Sequence, residues 1–274
     1  MMKRVLAVLL AAVLLCATLA GCEKEASGRE LTVFAAASLT ETLTELGARY
    51  EAAHPGVKLI FNFGSSGKLA DQIAAGADCD LFLSAAPKQM NLLDLSRDET
   101  QNPNRYDFVD AATRLDLLEN KVALAVPEGN PKGIDSFDRL AEALRVGDVL
   151  LAMGGEGVPV GQYTQKILAY YGLDEAELAA RSLLSYGEDV KAVATQISEK
   201  LVDCGVIYQT DAAAAGLTVV DTAAEAMCGR VIYPAAVLKN AKNPDLARDF
   251  LAYLRSAEAG ALFTAAGFTP LSGS

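Results

Sequence analysis

The sequence predicts an α/β fold of two Rossmann-like lobes joined by a two-strand hinge. Three observations predict it. Strand-like and helix-like segments alternate from Leu31 onward, the signature of βαβ units, which form parallel sheets covered by helices. A Pro/Gly cluster, Glu128 to Gly133, interrupts that alternation after a strongly apolar run, as a crossing between domains does. A second alternating series follows and gives way to a long apolar strand near residue 230. The chain therefore leaves the first lobe and returns to it, and two connections between similar lobes make a hinged cleft.

In the first lobe, Leu31 to Ala36 reads as a buried strand. Leu39, Leu43 and Leu46 then recur at helical spacing. Val57 to Phe63 is a second strand, Leu69 to Ala75 a second helix and Asp80 to Ser84 a third strand. Lys121 to Pro127 is an apolar strand leading toward the crossing. The second lobe takes strands at Val149 to Met153, Leu183 to Tyr186, Gly205 to Tyr208 and Leu217 to Val220. Its helices are Pro159 to Tyr171 and Asp189 to Lys200. Arg230 to Leu238 forms the returning strand, and a helical stretch from Pro244 to Ala265 closes the chain. These readings place residues 30–127 and 225–274 in lobe 1 and residues 128–224 in lobe 2.

The chain of 274 residues is 51% apolar and 22% charged, which suits a packed core and excludes general disorder. Its net charge of -11 argues against nucleic acid as a partner, because phosphate backbones select Lys and Arg. A small anion is not excluded, since local dipoles can oppose the global field. Lys3 and Arg4 precede a short apolar stretch, Val5 to Leu15, and then Leu19-Ala20-Gly21-Cys22. This is the form of an export signal, and the tetrapeptide resembles a lipobox. The expectation is a lipoprotein signal peptide over residues 1–21, acylation of Cys22 as the mature N-terminus, and a polar tether over residues 22–29. The protein would then be extracytoplasmic and lipid-anchored. Cys79, Cys204 and Cys228 lack metal-ligand spacing. They read as isolated buried thiols, with a Cys204–Cys228 disulfide as the alternative in an exported chain.

Ligands of open α/β sheets bind beyond the carboxyl ends of the strands, and four loops there share a feature. Ser38, with Glu41 three residues on, fits a capping box. Gly64-Ser65-Ser66-Gly67 ends the second strand. Val158-Pro159-Val160-Gly161 starts a helix with Pro where it is favoured. Gly187-Glu188-Asp189-Val190 starts another, with Asp189 as N-cap. Each presents free backbone N–H groups at the positive end of a helix dipole, and several such ends aimed at one point hold an anion without Lys or Arg. A catalytic reading finds little: His54, the sole histidine, sits in a turn, Gly64 to Gly67 is not a nucleophile elbow, and Asp78 and Asp80 have no partner histidine.

The segments FAAASL, FNFGSSGKLADQI, DLFLSAAP, GVPVGQY, GEDVKA, GVIYQTDA and VIYPAAV together resemble the periplasmic molybdate-binding proteins of ABC importers, over nearly the whole mature chain. The resemblance implies a type II periplasmic binding protein fold. It implies that Ser38 and Ser66 give hydroxyl and backbone N–H groups to the oxyanion. Val160 and Val190 would give backbone N–H groups, and Tyr208 its phenol. It also implies molybdate or tungstate as ligand, no cofactor and no cation site, no enzymatic activity, a monomer, and an ABC permease and ATPase as partners. Val160 stands where relatives often carry a smaller residue, and Lys68 reads as a solvated helix-face residue. The alternative is the same fold holding another oxyanion, such as sulfate or thiosulfate.

Overall fold

The computed structural model describes residues 29–271; the expected signal peptide, Cys22 and the rest of the expected tether before Arg29 lie outside them. Among the described residues, eleven strands form two sheets. The first sheet contains β1 (Arg29–Ala36), β2 (Val57–Gly64), β3 (Leu81–Leu83) and β4 (Leu115–Asn120). The second contains β5 (Val122–Val126), β6 (Leu151–Gly154), β7 (Leu184–Gly187), β8 (Cys204–Tyr208) and β9 (Thr218–Thr222). β10 (Val231–Val237) and β11 (Thr269–Pro270) return to the first sheet. The strand orders are β11-β4-β10-β3-β1-β2 and β7-β6-β8-β5-β9.

The parallel core of the first sheet is the expected one. β1 pairs in parallel with β2 on one side and β3 on the other, and its second half is buried on both faces, as a central parallel strand must be. The returning strand is antiparallel to both β3 and β4, because it re-enters from the opposite lobe. It carries Pro234 in a central position, where a missing N–H would normally interrupt the ladder. A register shift at Tyr233/Pro234 absorbs it, and such bulges re-aim neighbouring side chains.

The lobe limits differ from those expected. β5 pairs with β8 and β9, both in the second sheet, so residues 122–127 do not belong to lobe 1. The outward crossing is at Asn120–Lys121, between β4 and β5. The sequence hid it because β4, Leu-Asp-Leu-Leu-Glu-Asn, carries two carboxylates and shows no clean apolar alternation. The Glu128–Gly133 cluster is a loop within the second lobe. On the return, the short helix Glu225–Cys228 packs against the Pro159–Tyr170 helix of the second lobe, so the inward crossing falls near Gly229 rather than at residue 225. Arg29, assigned to the tether, is the first residue of β1 and pairs with Val57. The closing helical stretch is two helices, Pro244–Leu254 and Ala257–Ala265. Ser256 separates them and caps the second, its hydroxyl accepting from Ala259 N–H. Cys79, Cys204 and Cys228 are free and buried, which removes the Cys204–Cys228 disulfide.

The lobes meet across the cleft. Gly67 N–H donates to the Gly157 carbonyl at 3.1 Å. Lys68 pairs with Glu188 at 2.7 Å, so it bridges the lobes rather than lying free in solvent, and Lys191 pairs with Glu41 at 2.7 Å. Exposed pairs of this kind add little each. The glycine contact is more demanding, because a Cβ on Gly67 would lie 2.3 Å from the Gly157 oxygen. Gly67 itself sits in the Ser66–Ala74 helix, where alanine is the better helix former by about 1 kcal/mol. Gly67→Ala should therefore keep its thermal midpoint while preventing the lobes from meeting. Small-angle scattering should report a larger radius of gyration than for the parent.

Candidate functional site

Three of the expected helix starts lie at the cleft, and the sequence explains each of them. The Ser66–Ala74 helix is capped by Ser65, whose hydroxyl accepts from Lys68 N–H at 3.3 Å. The Pro159–Tyr170 helix begins with Pro159 in its first turn. The Val190–Ser198 helix is capped by Asp189, whose carboxylate accepts from Ala192 N–H at 2.9 Å. This is the expected cap, and it occupies the carboxylate with its own helix. The fourth loop departs from expectation. Residues Ala37–Leu39 form a 3-10 turn, the following helix starts at Thr40, and Ser38 caps nothing. The extra turn moves Ser38 off the N-cap position. Its hydroxyl meets the Tyr233 hydroxyl at 2.9 Å instead, while Glu41 reaches across to Lys191.

These loops line one small cavity of about 10 Å³. Ser38, Ser66, Val160, Val190 and Tyr208 all line it, and each is buried. Two come from the first lobe and three from the second. The backbone N–H groups of Ser38, Ser66, Val160 and Val190 have no backbone partner among the described residues. The reason is positional: the first amides of a helix have no carbonyl one turn upstream within it. The lining contains no lysine or arginine, and Asp189 is its one charged residue.

Two of the lining hydroxyl groups keep uncommitted protons. Ser66 Oγ accepts from Ala85 N–H at 3.0 Å, which leaves its proton uncommitted. Tyr208 Oη is buried with no partner. Burial raises the Tyr208 and Tyr233 phenols well above their ordinary pKa, so both stay protonated near neutrality. Sequence reasoning missed Tyr233, Asn120 and Ala85. Tyr233 lay inside a quoted segment, VIYPAAV, but an aromatic residue in an apolar strand reads as core.

Behind Tyr208, Asp211 is buried, and neither of its oxygens has a hydrogen-bond partner. Lys191 Nζ lies 3.4 Å from Asp211 Oδ1 while also meeting Glu41. Burial pushes the Asp211 carboxyl up to about 7, with Lys191 opposing and Glu41 and Asp189 adding to the rise. His54, by contrast, is exposed, stacked on Tyr50 and remote from the cavity lining.

Comparison with known proteins places this geometry in context. Residues 31–269 match the model of a family described as bacterial extracellular solute-binding protein. The molybdate-binding protein ModA of Escherichia coli is 34% identical over 245 residues, 88% of this chain and 89% of that one. YvgL of Bacillus subtilis, named provisionally as an ABC transporter substrate-binding lipoprotein, is 33% identical over 260 residues, 91% of this chain and 92% of that one. The periplasmic molybdate-binding protein of Azotobacter vinelandii superposes with a TM-score of 0.73 at 20% identity, covering 88% of this chain and 100% of that one; it shows the shared fold.

The Asp211 carboxyl generates a pH dependence whose sign is fixed. Its folded pKa is raised from the ordinary carboxylate value to about 7. Between those limits the folded chain holds a proton that the unfolded chain has lost, so stability falls as pH rises through that window and levels off above it. Asp211→Asn should therefore melt several degrees higher than the parent above neutral pH. The two melting curves should converge as pH falls toward the ordinary carboxylate range, and thermal denaturation at a series of pH values measures this.

Proposed function

The chain belongs to the bacterial extracellular solute-binding protein family, and we propose that it captures molybdate outside the cytoplasm and delivers it to an ABC importer. The observation that carries this reading is the cavity lining: helix-start amides and three hydroxyl groups from both lobes, with no cation among them. Such a set suits a fully ionised oxyanion. Each N–H or O–H donor gives a charge-assisted bond to an anion, stronger than a neutral one, and the helix dipoles point the same way. The similarity to ModA supports molybdate as that anion.

The chemistry of the donors also selects. A partly protonated anion such as hydrogen phosphate needs an acceptor, and a buried proton left unpaired costs about 1–3 kcal/mol. Sulfate is fully ionised, so it must be refused by size: its shorter bonds leave contacts long in a cage built for a larger tetrahedron. Tungstate is close to molybdate in size and charge and should bind as well. The site binds and releases its guest and performs no reaction on it. We assign Ser38, Ser66 and Tyr208 as side-chain donors, and Val160 and Val190 as backbone donors. Binding draws groups from both lobes onto one ion, so closure of the cleft is a hinge motion. Cys22, within its lipobox, is the proposed membrane attachment, supported by the lipoprotein designation of YvgL.

Titration calorimetry with molybdate, tungstate, sulfate, thiosulfate and phosphate tests the assignment. Molybdate and tungstate should bind tightly and phosphate hardly at all; preferential binding of sulfate or thiosulfate would replace the molybdate reading with the other-oxyanion one. Ser66→Ala should weaken molybdate binding about ten- to hundredfold, the value of one charge-assisted bond. Cys22→Ser should move the protein from the membrane to the soluble fraction, and its continued sedimentation with membranes would refute the lipid anchor.

A further inference from the structure

We propose that Tyr233, oriented by Asn120, is a specificity-determining positioning residue that frees the Ser38 proton for the cavity. The proposal rests on the oxyanion reading above and adds to it the device by which the site favours an unprotonated anion. It stands on a directional chain of hydrogen bonds. Asn120 Oδ1 accepts from Lys121 N–H at 2.8 Å, and a backbone amide can only donate, so the orientation of the Asn120 amide is fixed. Its Nδ2 end must then donate, and it does so to Thr210 Oγ1 at 2.9 Å and to Tyr233 Oη at 3.2 Å. Tyr233 Oη is thus an acceptor toward Asn120, and a phenol oxygen, with one lone pair conjugated into its ring, accepts a second bond poorly, which favours its own proton as the one given to Ser38. Ser38 Oγ lies 2.9 Å away. In this polarity Ser38 accepts; it has no other side-chain partner among the described residues and lines the cavity. Its proton is therefore available to a guest.

The polarity matters because a hydroxyl pair can run either way. If Ser38 donated to Tyr233, it would present lone pairs to a dianion and repel it. Asn120 disfavours that arrangement, because it already fills the better acceptor position of Tyr233 Oη. Ser66 is set in the same sense by a different donor, Ala85 N–H. The chain also has a telling location. Asn120 is the last residue of β4 at the outward crossing, Tyr233 is at the bulge of the returning strand, and Thr210 belongs to the second lobe. The hinge and the orientation of the Ser38 hydroxyl share one buried network, and such networks act as units.

Tyr233→Phe keeps the ring and removes the donor. Ser38 is then free to rotate and to accept a proton from a guest. The test compares molybdate with hydrogen phosphate above neutral pH, where both are dianions and only the second carries a proton. In the variant, molybdate affinity should fall about tenfold, the value of one hydrogen bond, and phosphate affinity should fall less or rise, so their ratio drops. In a Ser38→Ala background, Tyr233→Phe should change neither affinity, since its effect passes through Ser38. An unchanged ratio, or an effect that adds fully to Ser38→Ala, would overturn the proposal and leave Tyr233 a packing residue. Should Tyr233→Phe fail to fold, Asn120→Asp reverses the same chain by making the residue an acceptor. Its added charge acts on both dianions alike, so the ratio should still drop, and a constant ratio would again overturn the proposal. Failure of the parent protein to bind molybdate would refute the proposed function instead, and the two failures are distinguishable.

Discussion

No helix can satisfy the first amides of its own backbone, and the cleft is built from that deficit. Ser66, Val160 and Val190 each lie in a first turn, and Ser38 lies in the 3-10 turn that precedes one. A buried N–H without a partner is costly. Four of them around one cavity make a space that is unfavourable when dry and strongly favourable around an anion. The rest of the architecture serves to bring those helix starts together from two separate sheets.

The proposed anion site is compatible with an acidic protein. The global charge repels anions at long range, but screening limits that field to roughly 8–10 Å in physiological salt. Inside the cavity the nearest partial charges are positive amide and hydroxyl protons. Asp189, the one carboxylate in the lining, has its charge directed to Ala192 N–H of its own helix. The same cap that starts the helix therefore turns one oxygen of that carboxylate to its own helix amides.

Contact between the lobes follows a similar economy. The two ion pairs across the cleft, Lys68–Glu188 and Lys191–Glu41, are exposed and contribute orientation more than energy. The close approach of Gly67 to Gly157 sets how far the lobes can shut. Asp211, buried beneath Lys191, is a local cost carried by the surrounding core. Its one ion-pair partner among the described residues, Lys191, is shared with Glu41, and Asp211 follows directly on the Tyr208 strand.

Much of this was legible in the residues alone. The alternation from Leu31 gave β1, β2 and β3 with their helices, and the Gly, Pro and Asp punctuation at Gly64, Pro159 and Asp189 located the helix starts that line the cleft. Those signals are local, since a cap or an amphipathic face depends on residues three or four apart. The tertiary structure alone decided what depends on distant partners. Ser38 meets Tyr233 across 195 positions and Asn120 meets Tyr233 across 113, so no local pattern assigns their bond. The crossing at Asn120–Lys121 is likewise set by which sheet accepts β5, and the burial of Asp211 by what packs over it. Local stereochemistry fixes where helices begin, but only the assembled lobes determine which of those beginnings share a space and which hydroxyl donates into it.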